Sequence, residues 1–146
     1  MTNGHDAPTA PTHVTSAVIG VAPQEAFAFL SDGHCVGRWA LGSFDTKPLG
    51  GGVFVGHSLF DGKALYLRAE GDPSTLLVTY YVGPEPDRLT PRITAHVARS
   101  EVAKQCRVSL IAERTPEMTD ERWRNLTVVH ETEILLIKAL LERPRE

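Results

Sequence analysis

The chain has 146 residues, a length that fits one domain, and 42% of them are hydrophobic against 23% charged. This mixture is typical of a globular protein rather than a disordered one. The formal net charge of -3 argues against a nucleic-acid partner, because a phosphate backbone requires a clustered basic surface. Cys35 and Cys106 lack C-x-x-C spacing and predict neither a disulfide framework nor a zinc site.

The beginning of the chain predicts a tail, a strand and two short helices. Residues 1–12 are small, polar and proline-bearing, which predicts a flexible tail. The β-branched run Val14–Val21 predicts a strand. Pro23 suits the first position of a helix that would stop near Ser31, and a second helical turn is expected through Trp39.

The central part of the chain predicts a meander of antiparallel strands. The hydrophobic period changes to two from Phe44 onward. The glycines at 50–52 predict a turn, and Asp61-Gly62 predicts a tight hairpin between Val53–Phe60 and Lys63–Glu70. Connections this short require antiparallel neighbours. The predicted strands are 43–48, 53–60, 63–70, 75–83, 91–99 and 105–113.

The last predicted element is a long helix from Asp120 to Arg143. Thr119 is a candidate N-cap, and Pro144 forbids continuation. Such a helix would be about 36 Å long at 1.5 Å per residue. The sequence therefore predicts an α+β protein in which one helix spans the whole domain.

One face of this helix is apolar but contains two ionisable side chains, His130 and Glu133. Their position indicates a polar site inside an otherwise hydrophobic interior. Val128 and Leu135 project from the opposite side, which favours a further packing surface or a homodimer contact. The apolar residues of the inner face are Trp123, Leu126, Val129, Ile134, Ile137, Leu140 and Leu141.

Three stretches of sequence carry a resemblance to a known superfamily. They are the opening strand and helix over 18–32, Trp39 after the second short helix, and the strand with its glycine-rich turn over 44–52. Together with the order of elements, they resemble the START and birch-pollen-allergen (SRPBCC) superfamily, across residues 13–143. Within it, the chain is most similar to polyketide cyclase/dehydrase proteins and to bacterial homologues of a heat-shock-ATPase activator. The resemblance implies one domain over 13–146 with a helix-grip fold: a curved antiparallel sheet of about seven strands around the C-terminal helix.

The resemblance further implies a cavity between the long helix and the sheet, suited to a hydrophobic or aromatic small molecule. A carboxylate beside an imidazole there could support acid–base chemistry, which makes His130 and Glu133 candidate catalytic residues. Arg68 could bind a ligand carboxylate. We predict no metal and no cofactor, because the histidines lack the spacing of metal ligands. The ligand-binding candidates are Trp39, His57, Tyr66, Arg68, Tyr80, His96, Leu126, His130, Glu133, Ile134 and Ile137.

Small-molecule binding is the leading hypothesis, and two alternatives remain. One is an enzyme, a polyketide cyclase, dehydratase or isomerase, that uses His130 and Glu133. The other is an interaction module that regulates a chaperone ATPase. No apolar run is long enough to span a membrane, and the first residues lack the features of a secretory signal, so the sequence predicts a cytoplasmic protein.

Overall fold

A computed structural model describes residues 12–144. Residues 1–11 of the predicted tail lie outside this range. The tail prediction is wrong at its last residue, Thr12, which begins the first strand because it pairs with Glu113. The strands are β1 (Thr12–Ile19), β2 (Phe44–Gly50), β3 (Val53–His57), β4 (Ala64–Asp72), β5 (Leu77–Gly83), β6 (Thr90–Arg99) and β7 (Cys106–Glu113). The helices are α1 (Pro23–Ser31), α2 (Gly33–Val36) and α3 (Asp120–Glu142).

The seven strands form one antiparallel sheet in the order β1-β7-β6-β5-β4-β3-β2. Strands β2 to β7 are joined to their neighbours by short connections, as the sequence predicts. Strand β1 instead pairs with β7, and the register runs from Thr12 opposite Glu113 to Ile19 opposite Cys106. This pairing explains why β1 begins and ends two residues earlier than the run Val14–Val21 predicted.

Helix α3 begins and ends close to its predicted limits because its signals are local. The Thr119 hydroxyl accepts a hydrogen bond from the Arg122 amide at 3.1 Å, which satisfies one of the free amides of the first turn. Pro144 follows the last turn and prevents extension. The inner face of the helix contacts β1 and β7, whereas Val128 and Leu135 are 55% and 63% exposed.

The predicted tight hairpin at Asp61-Gly62 is longer in the structure. Strand β3 ends at His57, and residues 58–63 form a loop in which Gly62 has a φ of 75°. The Leu59 amide donates to the Leu41 carbonyl at 2.9 Å. Because this bond ties the loop to the segment after α2, the strand does not continue to residue 60.

Candidate functional site

Helix α3 carries His130 and Glu133 into the protein interior, at 3% and 5% exposure. They occupy the same face as Ile134 and Ile137, which are part of the main hydrophobic core. Burial of ionisable groups is unfavourable unless they are paired or neutral. The surroundings of these two side chains therefore determine their chemistry.

The Glu133 carboxylate has two neighbours. Its Oε2 accepts a hydrogen bond from the backbone amide of Leu41 at 2.9 Å. Its Oε1 lies 3.9 Å from Nε2 of His130, a separation that is too long for a hydrogen bond. The carboxylate thus links α3 to the segment after α2 through one backbone hydrogen bond.

Burial shifts both ionisable groups toward their neutral forms. It raises the pKa of Glu133 to about 7, against a smaller opposite effect of the Leu41 amide. It lowers the pKa of His130 to about 4, and the nearby His13 contributes in the same direction. Desolvation therefore outweighs the attraction across 3.9 Å. Near neutral pH, His130 is therefore uncharged, and Glu133 keeps its proton to a higher pH than an exposed glutamate does.

Trp39 and Tyr80 form an aromatic pair in the same core. Their rings meet edge to face with centroids 5.7 Å apart, and both side chains are 3% exposed. The Tyr80 hydroxyl donates to the Leu30 carbonyl at 2.6 Å. Burial, followed by the negative charge of Glu133, raises the pKa of Tyr80. Tyr80 thus lies within electrostatic reach of Glu133.

Two polar atoms near these side chains are buried without a hydrogen-bond partner among residues 12–144: Nε1 of Trp39 and Nδ1 of His130. The first is a donor, and the second is a donor or an acceptor according to its tautomer. Native proteins leave few buried polar atoms unpaired, and each such atom calls for an explanation. Both therefore keep unused hydrogen-bonding capacity within the described residues.

The structure therefore brings six predicted site residues into one core region. We call this set the inner cluster. Its members are Trp39, Tyr80, His130, Glu133, Ile134 and Ile137. Leu126 lies further toward the beginning of α3, where it packs against Ala112, Met118 and Trp123 in a second, smaller core.

Four other predicted site residues lie on the outer face of the sheet and do not join the inner cluster. Alternation along a strand sends neighbouring side chains to opposite faces. Leu67 and Val97 are core residues, so Arg68 and His96 point outward. By the same rule, Tyr66 and His57 face away from α3, on the side opposite Leu67 and Phe54.

Arg68 has its own partners on that outer face. Its Nε donates to Glu70 at 2.7 Å, and its guanidinium lies 4.6 Å from the centroid of the Tyr81 ring. This arrangement positions Arg68 for sheet packing, away from the interior. Arg68 points outward because of the way β4 faces the core, and a single sequence does not show which face of a strand is inside.

Sequence reasoning missed two residues near the inner cluster. Leu41 contributes a backbone amide, for which side-chain patterns give no signal. His13 falls between the predicted tail and the predicted first strand, but it is on β1 and its side chain is only 20% exposed. Its alternation with Thr15, Ala17 and Ile19 is the signal that could have identified it.

A pocket of about 320 Å³ lies at the other end of α3. Phe29 and Arg38 border it on one side, and Leu140 and Arg143 on the other. None of the predicted site residues lines this pocket. Within residues 12–144, no group of three or more His, Cys, Asp or Glu side chains is placed to hold a metal ion, and no helix is long and apolar enough to cross a membrane.

Comparison with known proteins identifies the fold. No protein-family profile matches the chain, and no curated protein matches it by sequence. Solved structures do match. A START superfamily protein from Mycobacterium smegmatis has a TM-score of 0.70 at 8% identity, over 92% of this chain and 99% of that one.

Two further solved structures have a similar fold. The Zhui aromatase/cyclase from a Streptomyces species has a TM-score of 0.63 at 14% identity, covering 90% of this chain and 93% of that chain. The Aha1 dimer from Colwellia psychrerythraea has a TM-score of 0.67 at 17% identity, and the match covers 94% of this chain and 100% of that chain. The chain thus has the helix-grip fold of START-like proteins, as its sequence predicts. Shared fold alone does not define activity.

Proposed function

We propose that this protein binds a hydrophobic or aromatic small molecule between α3 and the inner face of the sheet. The observation that carries the proposal is a pair of buried nitrogens, of Trp39 and His130, that have no hydrogen-bond partner in the part of the chain that the structure describes and that lie beside a largely apolar core. An unpaired buried polar atom costs about 1–3 kcal/mol. A ligand with a matching polar group would recover part of this free energy.

Most of the affinity would come from apolar contact. Removal of apolar surface from water contributes roughly 25 cal/mol per Å² before the cost of association. Small-molecule sites generally combine such surface with a few polar groups that fix orientation. Ile134 and Ile137 supply apolar surface, and Trp39, His130 and Glu133 supply polar groups. The START and aromatase/cyclase proteins of the same fold support a role of this kind.

Nuclear magnetic resonance can test this proposal with 1-naphthol and 1-octanol as probes. We expect both probes to shift the indole N–H resonance of Trp39 and the methyl resonances of Ile134 and Ile137. The methyls of Val128 and Leu135, on the exposed side of the same helix, provide the internal control. If saturating probe leaves the inner resonances unchanged, or shifts the outer methyls equally, the interior is not a binding site.

A second candidate function, acid–base catalysis, is favoured by one observation. The pKa of Glu133 is raised to about 7, and a general base works best when its pKa is near the operating pH. An ionised Glu133 can remove a proton from carbon next to a carbonyl group of a bound ketone. The N–H of Trp39 can then donate a hydrogen bond to the enolate oxygen that forms.

Exchange of the α-hydrogens of 1-tetralone in heavy water would test this chemistry. Glu133 would take the α-hydrogen as a proton, exchange it with heavy water and return a deuteron to the enolate, so heavy water is the only other reactant. We expect the protein to accelerate exchange, and Glu133→Gln to abolish the acceleration while the Trp39 resonance still reports binding. Equal exchange with both proteins would exclude Glu133 as the base, and His130→Gln tests its neighbour in the same way.

A further inference from the structure

Three largely buried basic side chains lie on segments that pack beside the first half of α3. They are His13 on β1, Arg114 just after β7, and His130 on α3, and we call them the basic cluster. Each has a buried nitrogen without a hydrogen-bond partner among residues 12–144: Nε2 of His13, Nη1 of Arg114 and Nδ1 of His130. Three unpaired nitrogens on three separate elements are a stronger signal than one orphaned group.

The register of β1 and β7 places His13 on the inner face of the sheet, and Arg114 follows the end of β7 on the same side. His13 is directly opposite Ala112, which is buried on the inner face of β7. Arg114 follows Ala112 by two residues, so alternation directs it to the same face. Diagonal neighbours of this kind are within reach of long side chains. His13 and Arg114 are 20% and 16% exposed, which confirms that both lie largely inside.

Helix α3 brings His130 near His13. Ala112 packs with Trp123 and Leu126, and His130 follows Leu126 by one helical turn on the same face. The charge on His13 is the second cause, after burial, of the lowered pKa of His130. The two imidazoles are therefore within electrostatic reach of each other.

The groups around the basic cluster leave some of its nitrogens without a hydrogen-bond partner among the described residues. Arg114 uses Nη2 to bind the Met118 carbonyl at 2.9 Å and Asp120 at 2.7 Å, but Nη1 has no partner. Nε2 of His13 lies 3.5 Å from Glu131, without hydrogen-bond geometry, and the Glu131 side chain is 57% exposed. Glu133 lies 3.9 Å from Nε2 of His130, not from Nδ1, and burial favours its neutral form by raising its pKa.

We propose that the basic cluster binds the carboxylate of an amphipathic ligand whose apolar body runs along α3 toward Ile137. A carboxylate offers about four lone pairs and so can accept from several donors at once. From His130 to Ile137 the helix rises about 10 Å, at 1.5 Å per residue, which suits a short acyl chain or an aryl-alkyl acid. This inference rests on the proposed binding function and defines the polar end of its ligand.

Titration calorimetry with octanoate and octanamide separates charge from apolar contact, since the two probes have equal chain lengths. We expect octanoate to bind about tenfold more tightly or better, because hydrogen bonds to a charged group are stronger than neutral ones. We expect this preference to disappear in Arg114→Gln and to shrink in His13→Leu. Arg107→Gln removes one positive charge from the exposed side of β7 and should retain the preference.

The outcomes distinguish the two proposals. Equal affinity for octanoate and octanamide would overturn the carboxylate site and leave the apolar binding function standing. No binding of either probe, with an unshifted Trp39 indole, would remove both. An equal loss in Arg107→Gln and Arg114→Gln would mean that general charge, not the basic cluster, attracts the acid. Should Arg114→Gln fail to fold, His13→Leu and Arg114→Lys, which keeps the charge but loses Nη1, give the same decision.

Discussion

The inner and outer faces of the sheet carry similar side chains in opposite surroundings. Tyr80 and Tyr81 are adjacent on β5, yet Tyr80 is buried and hydrogen-bonded to a helix carbonyl, whereas Tyr81 stacks under an arginine on the outer face. Glu133 is buried with its pKa raised to about 7, but Glu70 pairs with Arg68 where water can reach both.

The difference shows that residue type alone does not define a functional group. Desolvation by the inner face shifts pKa values and isolates polar atoms, while outer-face pairs such as Arg68 and Glu70 are solvated and contribute little. The inner face therefore concentrates the buried core and the ionisable groups whose pKa values are shifted most. Paired substitutions on the two faces test that statement.

The largest difference is expected within α3 itself. Ile137→Ala removes a side chain that is 0% exposed and should lower the free energy of unfolding by about 2–5 kcal/mol, through lost burial and a residual cavity. Leu135→Ala, two residues away and 63% exposed, should change it by no more than about 0.5 kcal/mol. Urea unfolding of both variants measures the contrast, which comparable losses would contradict.

A second contrast concerns pH. The folded-state pKa of Glu133 is raised from 4.5 to about 7. The stability that the folded protein gains because its Glu133 holds a proton more tightly is therefore complete below pH 4.5 and is lost as pH rises to 7. The folded-state pKa of His130 is lowered from 6.5 to about 4, so its contribution is complete above pH 6.5 and is lost as pH falls to 4. Between pH 4.5 and 6.5 the two effects oppose each other.

Single substitutions should reveal each effect. As pH rises from 4.5 to 7, the free energy of unfolding of Glu133→Gln should increase relative to that of the unsubstituted protein, by about 1.4 kcal/mol per pH unit. As pH rises from 4 to 6.5, that of His130→Gln should decrease relative to the unsubstituted protein by about as much per unit. Chemical unfolding across this range provides the curves. Variants whose curves run parallel to that of the unsubstituted protein would show that burial does not shift these groups.

The sequence predicts the elements of the fold well because their signals are local. Thr119 and Pro144 mark the ends of α3, and the period of its apolar residues identifies the face that carries His130 and Glu133 inward. Strand periodicity likewise predicts the antiparallel sheet. These features depend on residues close together in the chain.

The composition of the site is less predictable because it depends on contacts distant in sequence. Period-two alternation separates Arg68 from Leu67 but does not say which of them faces the helix. The Leu41 amide donates a hydrogen bond to Glu133, which is 92 positions away in the sequence. A backbone donor cannot be recognised from a pattern of side chains. His13 joins the interior only because β1 pairs with β7.

The smallest contrast lies between the adjacent tyrosines of β5. The Leu30 carbonyl is in the last turn of α1, where helix carbonyls lack a partner within the helix, and the Tyr80 hydroxyl satisfies it at 2.6 Å. Tyr80→Phe leaves this buried oxygen unpaired and should cost about 1–2 kcal/mol in unfolding free energy. Tyr81→Phe keeps the ring that Arg68 stacks on and should cost less than about 0.5 kcal/mol. Thermal and urea unfolding of the two variants compare them directly, and equal costs would mean that the inner face gives this hydrogen bond no advantage.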